Sequence, residues 1–304
     1  MIELHCHTTF SDGTLTPTEL VKAAIEAGVK ALAITDHDTM GGWEEAYSAA
    51  AAHAQETGEA LEIVPGLELS TTHNWRSLHV LGFYPDRSQL ENPLQERLRG
   101  RQRRAETIAQ RLAALGYPIT LPSRNGQKAP GRPHIAQALV DAGHVKTSKE
   151  AFDRFLADDK PAYVPYEKLS AVNGIKLLRE CGALPVWAHP YLFQGGAVEA
   201  CLPEFVAAGL MGLEVYHPHH SPTEVQRLTQ LCQEYGLVMT GGSDYHGPAQ
   251  SNRHAPHLNA LKVPLELLKD LKTAHLNTAH LNTAHLNTAQ HSPTPTQPHT
   301  STPA

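Results

Sequence analysis

Histidines and carboxylates recur in this chain at short, regular points. His5-Cys6-His7 is followed by Asp12; then come Thr35-Asp36-His37-Asp38, Gly66-Leu67-Glu68, His79, His189-Pro190, Glu214 with His217, and Gly242-Ser243-Asp244-Tyr245-His246. Neutral imidazole is the commonest metal ligand. Carboxylates can bridge two cations, as imidazole cannot, so Glu68 and Asp244 are the bridging candidates and the natural catalytic carboxylates. Residues two apart on a strand face the same way, so His5 and His7 can hold a single ion while Cys6 points away, and the same spacing relates Asp244 to His246. Taken singly, each has an ordinary explanation. Asp12 in Ser11-Asp12-Gly13 suits a turn, Asp36 or Asp38 a helix cap, and His189 a strand end satisfied by backbone. Taken together they form a buried cluster that would repel itself unless cations compensated it.

The elements that must position these residues are legible in the apolar runs. Ile2–His5, Val29–Thr35, Leu61–Gly66, Leu78–Tyr84, Leu184–His189, Leu210–Tyr216 and Leu237–Gly242 are short and lack strict alternation, as expected of strands buried on both faces. Thr16-Pro17-Thr18-Glu19 and Ser221-Pro222-Thr223-Glu224 each combine an N-cap hydroxyl, Pro at N1 and Glu at N3, and predict helix starts. Strand–helix alternation predicts an α/β fold with a parallel sheet, and seven strands suit a closed or nearly closed barrel. In a barrel, the strand ends that carry the candidates gather on one face. The alternation breaks over 89–166, which reads as helices at Asn92–Leu115, Pro133–Ala142 and Lys149–Leu156, joined by Gly/Pro-rich connections. The expected organisation is therefore 1–88 and 167–271 as the two parts of a barrel, 89–166 as a helical insertion over its mouth, and 272–304, with its TAHLN repeats, as a disordered tail.

Composition narrows the function. The 304 residues, 41% hydrophobic, suffice for a large core, and no apolar run approaches a bilayer span. MIELHCH opens without a basic and apolar leader, and Cys6, Cys181, Cys201 and Cys232 show no disulfide or zinc spacing, so a reducing cytoplasm is expected. Of 20 histidines, five (His275, His280, His285, His291, His299) lie in the tail. Residues 89–166 hold 13 Lys/Arg against 8 Asp/Glu, whereas the rest holds 12 against 23. An acidic body with a basic segment suits bound cations and an anionic substrate. Aromatic residues, 6% of the chain, offer no evident platform for long single strands, and neither duplex DNA nor a membrane is an expected partner.

The blocks HCHTTFSDG, TDHD, PGLELS, AHP and GGSDYHG, in this order, resemble the PHP (polymerase and histidinol phosphatase) family over about 1–85 and 170–260. The resemblance implies a distorted (β/α)7 barrel holding three divalent ions, of Mn, Fe or Zn. It implies His5, His7, Glu68 and Asp244 around the first ion, Glu68, His79 and His189 around the second, and Asp12, His37 and His246 around the third. GRPHIAQAL, PAYVP and GLEVYHPHHS are similar to the stand-alone bacterial members that act on nucleotides. Those remove the 3′-phosphate from 3′,5′-bisphosphonucleotides such as pAp, or trim short 5′-monophosphorylated RNA in the 5′→3′ direction. Metal-activated water would attack phosphorus, Arg132 and His134 would hold a substrate phosphate, and His217 would protonate the leaving oxygen. The alternatives are a histidinol-phosphate phosphatase of the same family and an amidohydrolase-like C–N hydrolase. The latter usually needs a metal-bridging lysine, and no lysine sits at a strand end here.

Overall fold

Seven strands pair in sequential order, and the two edges of the sheet meet. The computed structural model describes residues 1–121, 129–166, 168–248 and 257–289. The strands are β1 (Ile2–Glu3), β2 (Ala31–Ile34), β3 (Glu62–His73), β4 (Arg76–Phe83), β5 (Leu184–Trp187), β6 (Gly212–Tyr216) and β7 (Val238–Gly241). Backbone bonds from Leu4 N to Gly241 O (3.2 Å), His7 N to Tyr245 O (2.9 Å) and Tyr245 N to His5 O (3.3 Å) close the seam between the last strand and the first. Gly242 lies at this seam. A Cβ there would stand 2.4 Å from His5 N, so only glycine permits the approach that brings the two ligand-bearing segments together.

In chain order the helices are α1 (Pro17–Glu26), α2 (Trp43–Thr57), α3 (Arg87–Ala114), α4 (Arg132–Asp141), α5 (Ser148–Ala151), α6 (Ala171–Glu180), α7 (Val198–Ala207), α8 (Pro222–Tyr235) and α9 (Glu266–Ala289). The expected capping boxes at Thr16 and Ser221 are both formed. Neighbouring strand positions feed different apolar clusters: Val80 and Trp187 pack with α1, α6 and α7, whereas Leu81, Phe83 and Val186 pack with Leu267 and Leu271 of α9. Burial on both faces is the reason the strands do not alternate in sequence.

The expected all-parallel sheet is not what forms. β4 runs antiparallel to both β3 and β5. β3 continues past Gly66 to His73 and returns through Asn74 and Trp75, which both adopt left-handed backbone (φ 47° and 65°). A two-residue turn of this kind forces a hairpin in place of a helical crossover. The reversal has a functional consequence: His79, early in β4, lies at the same end of the barrel as the C-terminal ends of the parallel strands.

Between β4 and α6 the chain is helical. α3 starts at Arg87, earlier than expected, because Asp86 caps it by accepting from Ser88 N. α5 is followed by one wide π-type turn, Phe152–Leu156. Ala105, Ile108 and Leu112 of α3 meet Ile135, Leu139 and Leu156 in an apolar cluster separate from those of the barrel. Part of the expected Gly/Pro-rich connection, 122–128, lies outside the described residues. The tail also departs from expectation, because 272–289 continue α9. Buried Leu267, Leu268 and Leu271 anchor that helix, and the TAHLN repeats contain no Gly or Pro to end it. The rest of the tail, 290–304, lies outside the described residues. Among the described residues, no helix is long and apolar enough to cross a membrane.

Candidate metal centre

Glu68 is the hub of the barrel mouth. It is 1% exposed. Its Oε2 lies 3.4 Å from His5 Nε2, 3.2 Å from His7 Nε2 and 3.1 Å from His37 Nδ1. Its Oε1 lies 2.8 Å from His79 Nδ1 and 3.2 Å from His189 Nε2. Asp244 faces it, with Oδ1 3.3 Å from His5 Nε2 and 3.1 Å from His7 Nε2. Asp12 forms the outer flank, its oxygens 3.4 Å from His246 Nε2, 3.6 Å from His37 Nε2 and 3.5 Å from His7 Nδ1. His217 Nε2 stands 3.8 Å from Asp244 Oδ2. All nine residues expected to bind metal, and His217 with them, are thus at one mouth.

Three groupings bring ligand atoms within 4.8 Å of one another: His5, His7, Glu68 and Asp244; His7, Asp12, His37 and His246; and His37, Glu68 and His79. Asp244 and His246 fall in different groupings, although their spacing suggested a shared ion. Asp244 has left-handed backbone (φ 53°), which breaks strand alternation at that point. Asp38 (φ 54°) and His189 (φ 33°) are also left-handed. Such conformations cost energy in residues other than glycine and persist where the surroundings over-determine them.

The cluster fits bound cations. His5 Nε2, His7 Nε2, His37 Nδ1, His217 Nε2 and Asp244 Oδ1 are buried without a hydrogen-bond partner. Their close approaches therefore lack hydrogen-bond geometry, as expected of atoms aimed at a common ion. The protonation energetics point the same way. Burial alone would raise the Glu68 carboxyl, but His5, His37 and His79 together hold it well below the carboxylate range. Burial likewise opposes charge on His7, yet Asp244 and Glu68 push it up to about 9. This is a site that demands positive charge. Mixed imidazole and carboxylate donors suit Mn²⁺, Fe²⁺ or Zn²⁺ better than Mg²⁺ or Ca²⁺.

The groups that orient these candidate ligands are not assigned from sequence. Glu214, fully buried in β6, accepts from His5 Nδ1 at 2.9 Å and, through its other oxygen, from His189 N at 2.8 Å. With Nδ1 donating, His5 presents an unprotonated Nε2 to the mouth. His7 is set similarly: its Nδ1 donates to Ser11 Oγ at 3.2 Å, and Ser11 donates on to Asp36, which also accepts from Thr8 N. Glu3, whose carboxyl burial pushes up to about 7, accepts from Ser243 N at 2.6 Å and fixes the segment that carries Asp244. The available signal was a carboxylate within an apolar strand, which burial allows only with partners. Glu214→Gln is expected to weaken metal binding roughly 10–100-fold, read by titrating Mn²⁺ into chelated protein, because the amide can present its NH₂ to His5. Unchanged affinity would remove the orienting role.

A cleft of about 480 Å³ at the cluster is lined by Asp12, His37 and Asp38 together with Arg97, Arg101 and His134. A second, of about 340 Å³, shares Arg97, Arg101 and His134 and adds Arg104, Arg132 and Lys168. Arg101 Nη2 lies 2.7 Å from Asp38 Oδ2. Arg97 donates to Ser70 O at 3.0 Å, while its buried Nε has no hydrogen-bond partner. Arg132 starts α4, donating to Asp158 at 2.8 Å and Leu156 O at 3.1 Å. His134 Nδ1, in the same first turn, accepts from Gly131 N at 3.1 Å. His134 thus lines both clefts, as Arg97 and Arg101 do, whereas Arg132 lines only the second.

A closed seven-stranded barrel with this cluster at its mouth defines a metal-dependent phosphoester hydrolase. The chain belongs to the PHP domain family, whose pattern matches residues 3–154. It is 34% identical over 255 residues, 81% of this chain and 90% of the other, to a 5′-3′ exoribonuclease of Haemophilus influenzae. It is 31% identical over 268 residues, 86% of this chain and 92% of the other, to a 3′,5′-nucleoside bisphosphate phosphatase of Chromobacterium violaceum. Among solved structures it is similar to a candidate metal-dependent phosphoesterase of Bifidobacterium adolescentis, at TM-score 0.65 and 32% identity, over 88% of this chain and 94% of that one.

Proposed function

We propose that the chain hydrolyses nucleotide phosphate esters, taking the 3′-phosphate from 3′,5′-bisphosphonucleotides such as pAp and trimming short 5′-monophosphorylated RNA 5′→3′ at the same site. The observation that supports this most is the continuity of the cleft: Asp12 and His37 of the cluster share one cavity with Arg97, Arg101 and His134. A substrate with one phosphate at the cluster would lay a second against guanidinium groups. The relatives named for bisphosphonucleotide and RNA substrates support the same reading. Residues 89–166 act in it as a cap that supplies the basic side of the site, and the four cysteines, buried and unpaired, suit a reducing cytoplasm.

Three divalent ions, Mn²⁺ before Fe²⁺ or Zn²⁺, would be held by His5, His7, Glu68 and Asp244, by Glu68, His79 and His189, and by Asp12, His37 and His246. Ions held there would supply activation of water near neutral pH and neutralisation of charge on the phosphoryl oxygens. The chain's own groups do the rest. Glu68 and Asp244 keep the ligand atoms converged, and Glu214 and the Ser11–Asp36 pair keep His5 and His7 in the tautomer that faces the mouth. His217, buried beside Asp244, gives a proton to the leaving oxygen. Arg132 and His134 grip the remote phosphate, which fixes register without entering the chemistry.

The test is product release in Mn²⁺ from pAp, a 5′-phosphorylated RNA pentamer and histidinol phosphate. Turnover of pAp or the pentamer is expected, falling when the 5′-phosphate is removed. Arg132→Ala should raise KM for 5′-phosphorylated substrates with kcat nearly unchanged. Turnover of histidinol phosphate alone would overturn the substrate class, and an unchanged KM would remove Arg132 from the site.

A further inference from the structure

Of the three tryptophans in the chain, Trp43 and Trp187 are buried, whereas Trp75 is 98% exposed. It sits at the tip of the β3–β4 hairpin, in a place no structural need explains. The second residue of a two-residue left-handed turn is ordinarily glycine, because a side chain strains that backbone. Here a bulky ring takes that strain (φ 65°) and contacts water over nearly its whole surface. The tip is held firmly. Asn74 Nδ2 donates to Gly195 O at 2.9 Å, and the His73 ring packs edge-on against Phe205 with centroids 4.9 Å apart. The ring is therefore displayed from an anchored support.

The hairpin is also a wall of the site. Glu68, the hub of the cluster, and Ser70, Thr72 and Ser77 along the basic cleft all belong to it. From Glu68 to the tip at His73 the strand advances five residues, about 17 Å at roughly 3.3 Å per residue. That is beyond the reach of a mononucleotide seated at the cluster, and within the reach of an oligonucleotide. Every base offers a π-face, so one rigid aromatic ring gives sequence-tolerant grip on a single strand.

We propose that Trp75 is a stacking platform for a base of the single strand several nucleotides from the hydrolysed phosphate, making an oligonucleotide a designed substrate of this site. This rests on the nucleotide reading given above. The platform acts on binding and takes no part in the chemistry.

The test compares Trp75→Gly and Trp75→Phe with the wild-type chain on the 5′-phosphorylated RNA pentamer and on pAp, with Mn²⁺ present. Trp75→Gly leaves an Asn-Gly turn, so the fold is safe and Tm should hold or rise. KM for the pentamer should rise roughly tenfold in Trp75→Gly and largely recover in Trp75→Phe, with KM and kcat for pAp unchanged. The pentamer should also quench the red-shifted tryptophan emission that Trp75→Gly lacks. If the wild-type chain turns over both substrates and Trp75→Gly leaves both KM values unchanged, the platform is wrong and the nucleotide reading stands. The platform is equally wrong if Trp75→Gly only dissociates a dimer. If the wild-type chain turns over neither substrate, the nucleotide reading falls and the platform with it.

Discussion

Glu68→Gln should abolish turnover, lowering kcat/KM at least about a thousandfold. The size follows from what the side chain does. Its two oxygens approach five imidazoles, and among the described residues no other carboxylate pairs with the His79 or His189 ring. Glutamine keeps the shape but loses the negative charge and one acceptor, and several kcal/mol of stabilisation at the reacting phosphate correspond to three or more factors of ten. Metal content should fall in the same variant, and raising Mn²⁺ should restore little activity, because the lost carboxylate is the one on which five imidazoles converge. Activity within tenfold of wild type would mean that the hub does not hold the ions that matter.

Saturating Mn²⁺ should raise the melting temperature on the order of 10 °C over chelated protein, and EDTA should reverse it. Without cations, the mouth keeps Glu68, Asp244 and Glu214 among histidines whose inward nitrogens lack hydrogen-bond partners, an arrangement that is costly to bury. An ion present at about a thousand times its Kd stabilises the folded state by about 4 kcal/mol. In a barrel of this size each kcal/mol moves Tm by roughly 2 °C or slightly more. A single ion held this tightly thus gives a shift of the predicted order, and Ca²⁺, which prefers oxygen ligands, should give much less. Scanning fluorimetry reads both arms. Equal shifts with Mn²⁺ and Ca²⁺ would point to surface carboxylates in place of the histidine mouth.

The residues that cluster at the mouth were legible because strand ends are local features. His5-Cys6-His7 needs only the two-residue strand period to be read as a pair, and Glu68, His189 and Asp244 each close an apolar run. What surrounds them was not legible, because it depends on which strands meet. Glu214 becomes the orienter of His5 only once the barrel is known to close, which sets β6 one strand away from β1, beyond β7. The reversal of β4 hides in Asn74-Trp75, which lacks the glycine that usually announces such a turn. The arginines of α3 read as one charged helix face. Only the packing of that helix over the strand ends singles out Arg97 and Arg101 beside the mouth and leaves Arg132 farther along the cleft. The TAHLN repeat, with a period foreign to helix or strand, gave no sign that α9 would carry it to Ala289; the anchor is supplied by the leucines before it.

The most direct test of the central claim is phosphate release from pAp followed against metal content, with chelated protein reloaded stepwise in Mn²⁺ and each sample assayed for bound ions by mass spectrometry. Activity should be absent from the metal-free chain and rise with occupancy to a plateau near the three ions per chain proposed for the mouth. Undiminished release from metal-free protein would contradict the claim that these histidines and carboxylates form the catalytic centre.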